Sequence, residues 1–252
     1  MRKFLKNFKK IKFPFLIKYD GKHFPQWFLS RYLEGELMGH FYEIYLNDKK
    51  LIPLLADFLI WLQRIPQKSL KKLLKRGEAY MWTREFPGYL EMIKSYQKEL
   101  KNEKAEKNIN FQKIYRLFED EKRIFKKSPP VLAHGDFTLS NFVKPLKKTG
   151  LIVVDWEHAH LDNFAYDISH LWIQLWRYPD WQKKLVFEFL KRLPKEKKGK
   201  FKKIFRLIII TEALGELCWS IKLCKRKYRA GSIRAAKKTI KSALRGFNNL
   251  IK

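Results

Sequence analysis

Residues 131–157 constrain the fold of this chain more than any other stretch, because short apolar runs alternate there with polar residues. The stretch reads VLAHGDFTLSNFVKPLKKTGLIVVDWE. One apolar run enters a polar loop, and two further runs flank a lysine-rich turn that Gly150 closes. Short apolar runs bounded by a glycine-containing turn are typical of paired strands. The pattern therefore predicts a β-hairpin preceded by a polar loop.

Three oxygen-bearing side chains can converge on one side of this predicted hairpin. Asp136 and Asn141 are five positions apart across the loop, and Asp155 stands where the second strand ends. Oxygen ligands of this kind suit magnesium. In phosphoryl transfer, one carboxylate orients the attacking hydroxyl while an amide and a second carboxylate hold the metal on the nucleotide phosphates. The alternative is that each polar residue caps a turn, as Asp and Asn often do.

The combined motif is more specific than any of its parts. His134-Gly135-Asp136, with Asn141 five residues on and DWE at 155–157, resembles the signature of the aminoglycoside phosphotransferase and choline kinase family, small-molecule relatives of protein kinases. The resemblance implies an α+β, protein-kinase-like fold. We expect a mostly helical C-lobe that contains the catalytic-loop β-hairpin, with a remnant β-hairpin of the N-lobe at its edge.

The same resemblance implies roles for individual residues. Asp136 would be the catalytic base, and Asn141 and Asp155 would bind magnesium. Three further residues would support the site: His134, Glu157 and Asp167. The cofactors implied are ATP and Mg²⁺, and the substrate implied is a small molecule with a hydroxyl group, similar to choline, a sugar or an aminoglycoside.

The beginning of the chain predicts a second strand pair. Residues 13–18 and 26–32 are apolar and rich in aromatics, and the Asp20-Gly21 pair between them is a strong hairpin signal. Residues 31–36 resemble the hinge between the two kinase lobes, so the adenine-contacting segment would be Ser30, Arg31, Tyr32 and Leu33. We therefore expect a remnant N-lobe and hinge over 1–35 and the C-lobe over 36–252.

This predicted N-lobe departs from the family's pattern. The family has a glycine-rich strand pair, a lysine-bearing strand and a helix with a partner glutamate before the hinge, whereas Gly21 is the sole glycine before Gly35 in this sequence. We therefore expect weak MgATP binding by the chain alone, and a separately encoded N-lobe is a candidate partner. The alternatives are an inactive kinase-like binding protein and a basic protein that binds anionic membranes or nucleic acid.

The charge of the chain is strongly positive, with 55 Lys and Arg against 25 Asp and Glu and a net charge of +30. Such a field attracts nucleotide phosphates and anionic membrane surfaces, and it repels a polycationic substrate unless a local acidic pocket outweighs it. No arginine cluster or nucleic-acid motif accompanies the lysines, which argues against nucleic acid as a partner. The alternative reading of the charge is a set of solvated lysine-rich helix faces.

The cellular compartment is predicted from the lack of a membrane-spanning run, a secretory signal and a disulfide framework in the sequence. The longest apolar run in the C-terminal part, 207–210, is far too short to span a membrane, and lysines interrupt the apolar residues of 1–12, so no secretory core is visible. Cys218 and Cys224 show neither metal-ligand spacing nor a disulfide framework. We expect a cytoplasmic protein.

Apolar periodicity predicts helices over most of the remaining chain, with the last two separated at 228–231. The predicted helices cover residues 51–65, 69–76, 89–104, 110–127, 166–178, 181–192, 200–225 and 232–251.

Two further groups of residues on these helices allow alternative readings. Aromatic residues could form a cage for a quaternary ammonium group or could belong to the core; they are Trp172, Trp176, Tyr178, Trp181 and Trp219. Glu212 and Glu216, one turn apart, either contact a substrate amine or lie on an exposed face. The imidazoles of 158–162 are rejected as metal ligands, because phosphoryl transfer uses oxygen-bound magnesium.

Overall fold

A computed structural model describes residues 11–12, 16–20, 27–30, 34–40, 42–45, 50–66, 83–146, 150–223 and 226–251. The predicted helix over 69–76, Cys224 and the hinge residues Arg31, Tyr32 and Leu33 lie outside these ranges.

The N-terminal part of the described chain consists of short strands. They are β1 (Ile11–Lys12), β2 (Leu16–Asp20), β3 (Trp27–Ser30), β4 (Gly35–Leu37), β5 (Gly39–His40) and β6 (Glu43–Ile44). Strand β2 pairs antiparallel with β3, with Asp20 opposite Trp27, so the predicted N-terminal hairpin is confirmed. The register is irregular between Leu16 and Lys18, at the open end of this hairpin.

Helices and four more strands make up the rest. In chain order they are α1 (Leu51–Leu62), α2 (Phe86–Asn102), α3 (Phe111–Lys126), β7 (Val131–Ala133), β8 (Phe142–Pro145), β9 (Leu151–Val153), β10 (His160–Asp162), α4 (Tyr166–Gln174), α5 (Pro179–Arg192), α6 (Lys195–Lys222) and α7 (Arg226–Arg245). Local sequence explains several helix starts. The side chain of Asn110 caps α3 by accepting from the backbone N–H of Lys113 at 2.8 Å, and α5 begins with a proline, which suits a first helical turn.

The catalytic-loop hairpin belongs to a four-stranded sheet of order β1-β9-β8-β4. Strands β8 and β9 are antiparallel, with Phe142 opposite Val153, so the predicted hairpin is confirmed. Strand β4 adds antiparallel to β8, and β1 adds parallel to β9. The predicted boundary between 1–35 and 36–252 falls inside β4, so residues on both sides of it belong to one sheet. A separate pair, β7 with β10, leads into the catalytic loop.

Helix α6 is the centre of the core. It packs most extensively against α7 and also contacts α2, α3 and α4. Trp172 on α4 and Trp181 on α5 are only 3% and 2% exposed and pack inside this core. Trp172 and Trp181 therefore belong to the core and not to a cage for a quaternary ammonium group.

The predicted break at 228–231 is wrong. Helix α7 runs without interruption from Arg226 to Arg245. Gly231 lies inside this helix. A Cβ atom at this position would lie 2.5 Å from Cη2 of Trp176, so a larger residue would clash with the indole. The glycine permits a close approach of α7 to that indole and does not end a helix.

Within the described ranges, no helix is long and apolar enough to cross a membrane.

Candidate active site

Strand β7 delivers the chain into the loop His134-Gly135-Asp136, and the middle residue of that loop must be glycine. The φ angle of Gly135 is +88°, in the region that L-residues with a side chain rarely adopt. A Cβ atom at this position would also lie 2.0 Å from the carbonyl oxygen of His158. The backbone of the loop thus passes directly against the segment that leads into β10.

Asp167, in the first turn of α4, binds the backbone of this loop. Its two carboxylate oxygens accept from the N–H groups of His134 at 2.8 Å and Gly135 at 3.2 Å. Burial raises the pKa of the Asp167 carboxyl. The two hydrogen bonds join the catalytic loop to the core helix that carries Asp167.

His134 joins the same loop to the end of β9. Its Nδ1 accepts from the backbone N–H of Asp136 at 3.3 Å, so the proton is on Nε2, which donates to the carbonyl oxygen of Val154 at 2.8 Å. Burial lowers the pKa of His134, in agreement with this neutral tautomer. Its ring also packs against Trp156, with centroids 4.6 Å apart. The loop that carries Asp136 and the residue before Asp155 are therefore held together.

Asp136 and Asn141 are interlocked. The Asn141 Nδ2 amide donates to the Asp136 carboxylate oxygen Oδ2 at 2.9 Å and to the Asp136 carbonyl oxygen at 2.8 Å. The backbone carbonyl oxygen of Asn141 accepts from the N–H of Val154 at 3.0 Å. Since both amide hydrogens point at Asp136, the amide oxygen Oδ1 is left to act as a ligand.

Asp155 is the second residue after β9, and the residue before it, Val154, donates to the backbone carbonyl oxygen of Asn141; Asp155 itself is exposed. Its φ angle is +60°, a left-handed conformation that Asp tolerates better than most residues. One amide oxygen and one exposed carboxylate suit Mg²⁺, which commonly binds one or two protein carboxylates together with substrate phosphates. Glu157 is also exposed, and its carboxylate lies 3.5 Å from Nε2 of His158.

His170 is a residue of this site that was not predicted from the sequence. This residue is on α4, three positions after Asp167, and its Nε2 lies 3.3 Å from Oδ1 of Asp136. Its Nδ1 lies 2.8 Å from Oε2 of Glu212 on α6. Glu212 is thus not on an exposed helix face, because its side chain is only 9% exposed. The spacing from Asp167 is the one signal in the sequence that places His170 beside the loop.

A buried ionic cluster lies behind the loop. The Asp162 carboxylate pairs with Arg84 at 3.2 Å and His160 at 2.8 Å, and Tyr89 donates its hydroxyl to it. Arg84 also lies over the ring of Tyr166, 4.7 Å from its centroid. Within the described ranges, no group of three or more His, Cys, Asp and Glu is arranged to hold a metal.

The other residues singled out in the sequence have the following positions and contacts. Ser30 ends β3, and β4, which begins five residues later, pairs with β8. Trp176 and Trp219 pack edge to face with Tyr42, which also contacts Tyr228. Tyr178 accepts from the backbone N–H of Ile44 at 3.1 Å. Glu216 accepts from three hydroxyl groups, those of Tyr42, Ser220 and Ser232.

The chain belongs to a known family of phosphotransferases. The model of the phosphotransferase enzyme family matches residues 11–193, which include every residue of the loop and hairpin described above. The resemblance inferred from the motif is thereby confirmed. A comparison with curated protein sequences gives no match.

Solved structures of small-molecule kinases share the fold. A Plasmodium vivax ethanolamine kinase is 17% identical, with 90% of this chain and 70% of that chain covered and a TM-score of 0.57. Spectinomycin phosphotransferase in complex with ADP and spectinomycin is 15% identical, with coverages of 99% and 81% and a TM-score of 0.58. Choline kinase LicA from Streptococcus pneumoniae is 16% identical, with coverages of 96% and 78% and a TM-score of 0.55. The predicted protein-kinase-like fold is confirmed.

Proposed function

We propose that this protein transfers the γ-phosphoryl group of ATP, with Mg²⁺, to a hydroxyl group of a small molecule. The observation that carries the proposal is the interlock of Asp136 with Asn141, next to the exposed carboxylate of Asp155. A base and two oxygen ligands at the edge of one hairpin are the parts that phosphoryl transfer needs from the C-lobe of a kinase.

Asp136 has the properties of a base that orients an acceptor hydroxyl. A hydrogen bond from His170 lowers its pKa, so the carboxylate is ionised at neutral pH. The side chain is 36% exposed, so an acceptor can reach it. In this role Asp136 accepts the proton of the hydroxyl as the bond to phosphorus forms.

Asn141 and Asp155 would hold Mg²⁺ through the amide oxygen and the carboxylate. The bound ion would neutralise charge on the nucleotide phosphates. Ser30, Arg31, Tyr32 and Leu33 stay the predicted adenine-contacting segment. Because ATP is the phosphoryl donor, we expect the protein to act in the cytoplasm.

The acceptor is proposed as a class. The structurally similar proteins are named for ethanolamine, choline and spectinomycin, which all carry both a hydroxyl and an amine or ammonium group. The net charge of +30 opposes a polycation, so an acceptor with one positive charge or none is favoured. Choline-like and sugar-like alcohols are therefore the first compounds to test.

The experiment that tests the function follows ADP release and acceptor phosphorylation with MgATP and a panel of such alcohols. We expect Asp136→Asn to lower turnover by about 10²–10⁴-fold, because a positioned base contributes that much. The matched control is Asp120→Asn, the same change on an exposed part of α3, which should leave turnover unchanged. Turnover by Asp136→Asn within about tenfold of the wild type would refute the role of the base.

A further inference from the structure

Three titratable side chains form a continuous chain from the core to the catalytic loop. Glu212 on α6 lies 2.8 Å from Nδ1 of His170 on α4, and Nε2 of His170 lies 3.3 Å from Oδ1 of Asp136. The exposed fractions of these side chains rise from 9% at Glu212 to 20% at His170 and 36% at Asp136. The chain thus runs from a buried helix outward to the proposed reacting centre.

The contacts of His170 require a protonated ring. Each ring nitrogen faces a carboxylate oxygen, and a carboxylate can only accept, so both nitrogens must donate. Besides Asp136 and Glu212, the groups that face the ring are Tyr166, stacked with centroids 6.1 Å apart, and the Gln174 amide at 3.5 Å. The two carboxylates raise the pKa of His170 to about 10, although burial opposes this.

The second carboxylate oxygen of Asp136 is held as well. Asn141 donates to Oδ2 at 2.9 Å, while His170 holds Oδ1. With a donor on each oxygen, the plane of the carboxylate is fixed, and the remaining lone pairs point in set directions. If His170 were removed, the carboxylate could rotate about its terminal torsion, which is intrinsically broad for Asp. Asn141 alone holds only one of the two oxygens.

We propose that His170, oriented by Glu212, is a positioning residue that holds the Asp136 carboxylate in the orientation needed to accept a proton from the acceptor. This inference rests on the proposed phosphotransfer function. The transferred proton stays on Asp136, and His170 keeps both of its own protons throughout. Glu212 acts only through His170, because its carboxylate contacts the imidazole on the side away from Asp136.

The kinetic test uses His170→Gln, Glu212→Gln and the double variant. We expect each single change to lower kcat by about 10- to 100-fold, the effect of misplacing a reacting group, with the Kd for MgATP unchanged. The double variant should be no slower than His170→Gln, because the two residues act as one unit.

The matched control for these variants is Glu121→Gln. Glu121 also pairs with a residue of α6, Lys203 at 3.1 Å, but it does so from α3, outside the candidate site. The kcat of Glu121→Gln should equal that of the wild type. Single variants within twofold of the wild type, or effects that multiply in the double variant, would overturn the inference.

A second measurement does not depend on turnover. In the wild-type protein labelled with ¹⁵N-histidine, both ring nitrogens of His170 should be protonated at neutral pH, and Glu212→Gln should shift that titration to lower pH. A neutral His170 ring at pH 7 in the wild type would overturn the inference. If the protein phosphorylates no alcohol but His170 titrates as expected, the proposed function fails, while the ionic contacts of His170 with Glu212 and Asp136 remain supported.

Discussion

Asn141 contacts both Asp136, the proposed base, and the backbone next to Asp155, a proposed magnesium ligand. Its amide hydrogens are directed at Asp136, and its backbone oxygen accepts from the N–H of Val154, the residue before Asp155. In the proposed function, this one residue would both orient the base and supply a ligand to the metal. A change at Asn141 should therefore disturb both functions, whereas a change at Asp155 should disturb the metal alone.

This difference can be measured with Asp155→Asn and Asn141→Ala. Asn tolerates the +60° φ angle of residue 155, so Asp155→Asn removes the charge without straining the backbone. We expect Asp155→Asn to weaken binding of ATP in the presence of Mg²⁺ more than Asn141→Ala does, because the carboxylate carries the charge that meets the cation. Isothermal titration with MgATP and with metal-free ATP measures the effect. Equal titrations for the wild type and Asp155→Asn would rule out a metal site here.

His170 should also make the stability of the fold depend on pH. Its pKa is raised from 6.5 to about 10 in the folded state, so the stabilisation from its charge is fully present below pH 6.5 and is lost as pH rises towards 10. The free energy of unfolding of the wild type should fall relative to His170→Gln across this window, by up to about 1.4 kcal/mol per pH unit. Denaturant unfolding at several pH values measures the difference. A constant difference would show that His170 is neutral when folded.

The sequence predicted the motif residues better than their partners. His134, Asp136 and Asn141 lie within one loop, so their proximity follows from spacing alone. Asp167 and Glu157 came from the resemblance, and their roles stay predictions. His170 and Glu212 are 42 positions apart, and their contact depends on how α4 packs on α6. No local pattern encodes that packing.

Two glycines inside helices differ in their surroundings, and only one of them is required for packing. Gly231 on α7 faces the indole of Trp176, whereas Gly199 on α6 has no atom within 4 Å of a Cβ built on it. Glycine inside a helix is otherwise unfavourable relative to alanine. The first glycine is needed for packing, and the second has no such requirement.

Alanine substitutions should therefore change stability in opposite directions. Gly231→Ala should destabilise the fold by about 1–3 kcal/mol, because its Cβ would overlap Trp176, which packs against Tyr42. Gly199→Ala should stabilise the fold by up to about 1 kcal/mol through helix propensity. Thermal or chemical unfolding of both variants measures the two effects. A stabilising Gly231→Ala would mean that α7 does not approach the indole this closely.

Hairpins, whose strands are close in sequence, could be predicted from the sequence. The limits of the helices were predicted less accurately. Strand β2 pairs with β3, and β8 pairs with β9, as predicted, because a hairpin is encoded by residues that are close in sequence. The break at 228–231 was wrong because Gly231 looks like a breaker in sequence, while its actual contact is with a distant tryptophan. The adenine-contacting role of Arg31, Tyr32 and Leu33 stays a prediction, because these residues lie outside the described ranges. The separately encoded N-lobe stays a prediction as well.

At the scale of the whole molecule, the net charge of +30 should dominate the response to salt. Like charges repel one another in the compact state, and the screening length falls from about 30 Å at 0.01 M salt to about 8 Å at 0.15 M. We expect the Tm to rise over this range, because screening relieves repulsion among the lysines. Scanning calorimetry in sodium chloride measures this. A falling Tm would indicate that favourable ion pairs outweigh the repulsion.

The overall fold was predictable through the motif, and the arrangement of the main sheet was not. The family resemblance gave the helical lobe and its hairpin. It gave no indication that β1 would lie parallel to β9, since residues 11 and 151 pair across most of the chain. Pairings of such long range depend on the whole packed structure.

The sheet order has a consequence for how the protein is made. Strands β1 and β4 leave the ribosome long before β8 and β9, with which they pair. At about 5–20 residues per second, the interval between β4 and β8 is roughly 5–20 s. During that time the early strands expose backbone edges that other nascent chains could pair with. Even when Asp155 has been synthesised, Asp167, His170 and Glu212 are still to come, so the assembled site is among the last parts of the protein to form.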